Sequence, residues 1–447
     1  MLRWVSSCVV ALAMTGSAAS AAASPGIASL QQVLAQTRSA TYATYARRTG
    51  ARVASAQAFA AMRTYVLQRY TGVSVEHSFL DQVGSIVDCV PFAEQPGVRG
   101  RRIERSTPPP VGGAPKQPAP GTAKQQPGAT ALDPALRPTD RDRFGNARYC
   151  APGFVPLQRV TLDVLVRFPT LALFFAKTAE PSLDATDGLG AVHRAPPSPS
   201  ASGDPHYYAD GQQAVDNLGA HAWLNVWSPT VAPNQMSLSQ IWVAGENESP
   251  DQTIEAGWQV YPSRWHTAES VLFIYYTTNN YAPGSGCYNL DCAGFVQVAN
   301  NVALGGGFTR YSTTGGAQWG FDVQYQRDPA NGNWWLFIGP SPWIAVGYYP
   351  HALFGAGQLA RNGTRVVFGG EDTGEPAALQ MGSGALANQG FGRAAFQKTI
   401  FYIDMSLVGR WATLTTQEIP GPPCYTDLLG SGGAWGTWLY FGGPSCH

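Results

Sequence analysis

From about His206 onward, short runs of Trp, Tyr, Val, Ile and Phe alternate with Gly-, Asn- and Pro-bearing turns. The runs at 221–227, 238–244, 253–260, 270–277, 294–299, 319–325, 333–338 and 365–371 recur at the spacing of an all-β domain. The pattern predicts an all-β sandwich or barrel over roughly 205–447. The front of the chain has a different period. Leu30, Val33 and Leu34, then Tyr42 and Tyr45, then Phe59, Met62, Val66 and Leu67 recur every three to four residues. That is the helical repeat, and it predicts a helical pair broken at Thr49-Gly50. Residues 84–92 predict a short strand, and a second structured piece runs from Cys150 to Lys177. The stretches 106–140 and 179–204 are rich in small, polar and Pro residues. They hold too little apolar area to offset the entropy of ordering, so they are expected to be flexible linkers.

Two acids interrupt the strand pattern. In 253–260, a period of two places Thr253, Glu255, Gly257 and Gln259 on one face. Ile254, Ala256, Trp258 and Val260 take the other face, which puts Glu255 over a groove and Trp258 in the core. In 365–371, Arg365, Val367, Gly369 and Glu371 share a face. The glycines Gly369 and Gly370 leave room beside Glu371 for a peptide backbone. A carboxylate in a strand interior loses hydration unless it is paired or protonated, so two such acids point to chemistry that uses their proton affinity.

Charged residues make up 13% of the 447, with Lys+Arg 29 against Asp+Glu 29. That balance offers no electrostatic basis for binding nucleic acid or an anionic membrane. Arg3, the apolar run Val5–Met14 and the small-residue sites around Ala19-Ser20-Ala21 predict a signal peptide over 1–23. The mature chain is expected to be exported, to the medium or the periplasm, as a soluble monomer. Removal of Cys8 leaves an even set of cysteines, which in an exported chain reads as disulfides. Proximity pairs Cys287–Cys292 and Cys424–Cys446 and leaves Cys89–Cys150. No C-x₂-C is present and His is sparse, which argues against zinc. No cofactor is expected.

Several motifs in order resemble the neprosin family of glutamic prolyl endopeptidases. In the front half they are Ile86-Val87-Asp88-Cys89-Val90, Gln95-Pro96 and the run from Cys150 to Arg159. In the back half they include Asn225-Val226-Trp227, Ser237 to Trp242, Ile254 to Pro262, Gly286-Cys287-Tyr288-Asn289 and Gly294-Phe295-Val296-Gln297. Asn333-Trp334-Trp335-Leu336, Val346 to Pro350, Gly369-Gly370-Glu371, Trp435-Gly436 and Tyr440 to Pro444 complete the series. The resemblance implies an antiparallel β-sandwich of two sheets over 205–447, with a groove across one concave face and catalytic glutamates at Glu255 and Glu371. It also implies an inactive precursor, activity in acid and cleavage after proline. The partners implied are proline-containing peptides or proteins and the chain's own propeptide, over 24–204. The chain departs from the family at Phe368, where relatives carry Trp, and in its long 106–140 linker and helical front end.

The chemistry so implied is two carboxyl groups sharing one proton and activating water. Gln240 and Gln297 are candidate groove polars. Trp319, Tyr348 and Tyr349 are candidates for the wall that receives a proline ring, and Gly369 and Gly370 for the groove floor. Asp372-Thr373-Gly374 mimics an aspartic-peptidase loop but has no second copy. G-x-S-x-G and H-E-x-x-H are absent, and His206, His221, His266 and His351 lack ligand spacing and are read as surface or turn residues. A sugar-cleaving or sugar-binding β-sandwich is the alternative that also fits paired carboxylates and many aromatics.

Overall fold

The computed structural model describes residues 24–103, 105–116, 119, 128–177, 206–246, 250–374, 379–416 and 424–444. The signal peptide, the linker 179–204 and Cys446 lie outside the described residues.

Two sheets, antiparallel but for one short added strand, build the back half. The first has seven strands, in the order Gly286–Tyr288, Val271–Thr277, Gln252–Val260, Met236–Gly245, Gly363–Thr373, His206–Asn217 and Thr415–Thr416. The second has ten, centred on Trp319–Arg327, Gly219–Asn225 and Ala395–Ile403. Ile241, Val243, Ile254, Ala256, Trp258, Val366 and Phe368 from the first sheet share one core with Ala222, Leu224, Val323 and Tyr325 from the second. Trp258 is buried there and donates to the Asn225 carbonyl at 2.8 Å. Phe368 lies on the same core side, so the family's Trp at that position concerns packing and not the groove.

The front half has helices at Leu30–Ser39, Tyr42–Tyr45 and Ala56–Arg69. Ser29 and Gln32 close a capping box on the first, and Ser55 caps the third through the Ala58 amide. Ser78–Leu80, Ile86–Pro91 and Phe154–Gln158 form a small sheet. Its centre is a fully buried pair, with Arg159 Nε donating to Asp88 Oδ2 at 2.8 Å and Ser78 to Asp88 Oδ1 at 2.6 Å. The Cys89–Cys150 disulfide joins this sheet to the segment before it, with Cα atoms 5.4 Å apart. Cys287 and Cys292 are also bonded, and Cys424 is disulfide-bonded.

The described ends of the 106–140 stretch are docked, contrary to the expectation of a free linker. Gln326 on the second sheet accepts from the Gly112 amide at 2.6 Å and donates to the Pro110 carbonyl at 2.9 Å. Thr130–Ala131 adds a short parallel strand beside Trp319, and Leu132 and Leu136 are buried. Side-chain amides on the sheet thus satisfy a proline-rich backbone that has few donors of its own.

Three buried acids and the half-buried Asp427 make the fold favour acid. Burial, with Asp427 next, pushes Asp210 up to about 7. Burial pushes Asp427 and Asp81 up to about 6, and Asp372 well above the usual range. Each such group stabilises the fold below its unfolded pKa and loses that contribution as pH rises through its folded value. His266, exposed at its edge but lowered to about 4 by partial desolvation and then by Arg167, works in the opposite direction. With four acids against one imidazole, the melting temperature should fall by roughly 5 °C or more between pH ~4.5 and pH ~7.5. Asp210→Asn should flatten the slope, and a melting temperature that rises over this interval would contradict the balance.

Candidate active site

The register of three neighbouring strands builds the site. Trp242 pairs with Glu255 on one side, and Leu238 pairs with Glu371 on the other. Gln240 sits between these two rows, flanked in register by Gly257 and Gly369. Glu255 and Glu371 therefore face the same side of the sheet, either side of an amide and a glycine floor. Gly369 has φ +142, and a Cβ there would stand 2.4 Å from the Ala209 carbonyl oxygen, so the floor at this point requires glycine.

The strand carrying Glu255 is buried along its whole length, on both faces. The groove face is covered by the end of the front half. Lys177 is 3% exposed, and its Nζ donates to Glu255 Oε2 and, at 2.6 Å, to Glu371 Oε2. One ammonium thus bridges both carboxylates, so their facing oxygens are no further apart than two hydrogen bonds laid end to end. Nζ also lies 5.0 Å from the centre of the Trp242 ring. The chain leading to Lys177 is bolted down. Arg264 donates to the Phe174 carbonyl and is paired with Asp291. Arg69 donates to the Leu290 carbonyl at 2.7 Å, and Tyr65 to the Asp291 carbonyl at 2.7 Å. The short Cys287–Cys292 loop that receives these contacts is tightened by its disulfide. The Tyr275 hydroxyl is hydrogen-bonded to the Lys177 backbone.

The remaining oxygens are met differently. Glu255 Oε1 accepts from Tyr281 at 2.7 Å and Thr253 at 2.8 Å. Glu371 Oε1 lies 2.7 Å from His206 Nδ1, and Oε2 accepts from Gln240 Nε2 at 3.1 Å. Burial alone would raise the Glu371 pKa, but Lys177 and His206 together hold it down at about 2. Burial would lower the Lys177 pKa, and Glu255 and Glu371 overcome that and raise it. Burial first, then the two glutamates, keeps the Tyr208 and Tyr281 phenols far above their ordinary range, so they stay neutral donors. The arrangement can hold one cation or one shared proton between two carboxyls.

Of the residues singled out in the sequence, Glu255, Glu371, Gln240 and Gly369 come together here. The others do not. Gly370 faces the core, where a Cβ would meet the Phe441 ring at 2.6 Å. Gln297 belongs to the second sheet and spends its amide on the Ala299 and Val302 carbonyls, at 3.1 and 2.7 Å. Trp319 begins a strand of the second sheet, with the Arg310 guanidinium 4.6 Å over its ring. Tyr348 packs on Trp335 at 4.9 Å under Val98 from the front half. Tyr349 lies in the core between the sheets, against Tyr276, Phe295 and Tyr325. Asp372 points away from Glu371 because alternate strand residues face opposite sides. Aromatic groove residues are instead Trp242, Tyr208 and Tyr275, which share the register rows of the glutamates.

His206, read from sequence as a surface or turn residue, touches Glu371 directly. Lys177 was not singled out at all. Thr253 was legible, since it shares the strand parity of Glu255. His206 and Lys177 carried no local signal, because each reaches the site from a distant part of the chain.

Residues 233–444 match the family model described as Neprosin. Solved structures give a weaker likeness. A crystal structure of Scytalido-glutamic peptidase with a peptide based transition state analog is 9% identical and covers 53% of this chain and 97% of that one, with a TM-score of 0.30. A second, with a transition state analog inhibitor, is 10% identical and covers 54% and 98%, with a TM-score of 0.31. Glu255, Gln240, Gly369 and Glu371 all fall inside the matched span, and by that match the chain carries a neprosin domain over residues 233–444.

Proposed function

We propose that the chain is a glutamic endopeptidase, exported as an inactive precursor, that cleaves peptides after proline in acid. The observation that carries this reading is the pair of glutamates facing each other across a glycine-floored groove, with a lysine of the front half clamped between them. The groove already holds a peptide: the Phe174 carbonyl sits on Arg264, and the Lys177 backbone on Tyr275. This favours a polypeptide over a glycan as the cognate ligand. In this reading residues 24–204 are the propeptide, and cutting near 195–205 frees the catalytic domain.

Once Lys177 leaves, two like charges stand close together and cannot both ionise cheaply, so their pKa values split and one proton is shared. The ionised carboxylate takes a proton from water, and the water oxygen bonds to the carbonyl carbon. The protonated one donates to the carbonyl oxygen. A bell-shaped dependence on pH in the acid range follows. The faces of Trp242 and Tyr208 are suited to a flat, rigid pyrrolidine ring.

The test is digestion of a proline-containing peptide by the processed protein at pH ~4, beside a glycan panel. Fragments ending in proline are expected. Fragments with other ends would remove the proline preference, and glycan retention without peptide cleavage would replace the peptidase by a sugar-binding protein.

A further inference from the structure

We propose that His206 is a positioning residue of the reaction: its Nδ1 anchors Glu371 through Oε1, leaving Oε2 to take the proton of the attacking water while Glu255 serves as the acid. This rests on the peptidase reading and assigns its two carboxyl roles.

The strand register delivers the imidazole. His206 pairs with Thr373, and Tyr208, two residues on, pairs with Glu371, so ring and carboxylate share the groove face. The ring lies 2.7 Å from Glu371 Oε1 and 3.3 Å from the Thr373 hydroxyl, and stacks on Tyr208 with centroids 6.1 Å apart. Its side chain is 12% exposed.

The two glutamates are served unequally. Glu255 Oε1 receives two hydroxyls, Thr253 and Tyr281, which can either donate or accept. They suit a carboxyl that gains and loses a proton. Glu371 receives an amide N–H and an imidazole, and histidine is the side chain that becomes cationic on going into acid. The other titratable groups near the pair do not offset this. The Tyr208, Tyr281 and Tyr288 phenols are held neutral, and Asp210 and Asp372 are pushed toward their neutral forms. Among the described residues, Lys177 and His206 are the two basic side chains within ion-pair distance of Glu371. When the propeptide carries Lys177 away, His206 stays, because its strand is paired in the sheet with the strand that carries Glu371.

The resulting step balances. A water proton passes to Glu371 Oε2 as the water oxygen bonds to the carbonyl carbon, and Glu255 gives its proton to the carbonyl oxygen. On collapse, that hydroxyl proton returns to Glu255. The proton on Glu371 goes to the leaving nitrogen as the C–N bond breaks.

The experiment is the pH dependence of kcat/KM for processed His206→Asn and His206→Ala on a proline peptide. Both should lower kcat at pH ~4, on the order of 10- to 100-fold for the alanine variant and less for the asparagine variant, which keeps an N–H donor. In both, the acid limb should move up by about one pH unit with KM nearly unchanged, because the charge is gone in each. An acid limb that stays in place in both variants, or a loss confined to KM, overturns the assignment. Independently of activity, the His206 ring NMR resonances at fixed pH should shift in Glu371→Gln, because the ring loses its carboxylate partner. An unshifted ring would show that the pairing is not made. If wild type cleaves no peptide while the ring still responds to Glu371, the peptidase reading fails and the contact stands as structure only.

Discussion

Glu255→Gln and Glu371→Gln should each lower kcat/KM of the processed enzyme on a proline peptide by at least about 10²- to 10⁴-fold, the range supplied by a general acid or base. Either substitution is close to isosteric. The amide oxygen at 255 can still accept from Thr253 and Tyr281, and the one at 371 from Gln240. The groove should therefore keep its shape, and melting of the processed domain should change little. What is lost is the capacity to hold or release a proton. Because the two groups share one proton, the double variant should be scarcely worse than either single one. Full turnover by either variant would remove that glutamate from the mechanism. Additive losses would show that the two act independently and not as a pair.

Lys177→Met in the full-length precursor should have the second large effect, and on two readouts. Removing the ammonium leaves two buried carboxylates facing each other with no cation between them, and breaking such a buried pair typically costs about 3–5 kcal/mol. Melting of the precursor at pH 7 should drop accordingly. The second readout is processing. Glu371, held down at about 2 in the precursor, contributes stability that is present above its unfolded pKa and is lost as pH falls from there through about 2. Lys177, raised by its two partners, contributes stability that is present below its unfolded pKa and is lost only as pH rises through the folded one. The clamp is thus intact at neutral pH and fails on the acid side, below about pH 4.5. Without the clamp, conversion to the mature form should begin at a pH higher by one unit or more, followed by mass or gel time courses. A variant that melts and converts like wild type would show that Lys177 does not maintain latency.

How far the sequence reached can be argued residue by residue. A period of two is enforced by the pleat itself, so the faces of Glu255, Glu371, Trp258 and Phe368 could be read from the strands alone. The same parity would have placed Gly370 and Asp372 on the core side. The helices at Leu30–Ser39 and Ala56–Arg69 were legible from apolar spacing, because three-to-four repeats put those side chains on one buried stripe. The groove wall was not. Trp319, Tyr348 and Tyr349 are aromatic strand residues like Trp242, Tyr208 and Tyr275, and nothing local says which sheet a strand joins. The docked ends of 106–140 were missed for a related reason: composition describes what a segment can bury by itself, not the amides another strand offers it.

The sequence by itself determined the class of the fold, the two acids and the side of the sheet each one faces, since these follow from repeats a few residues long. Only the tertiary structure decided that Lys177 closes the pair, that His206 holds one member of it, and that Gln240 lies midway between them. Those contacts join positions 78, 194, 165 and 131 residues apart along the chain, and their geometry depends on strand order and register. Both are set by the packing of the whole sandwich and leave no periodic trace in any one segment.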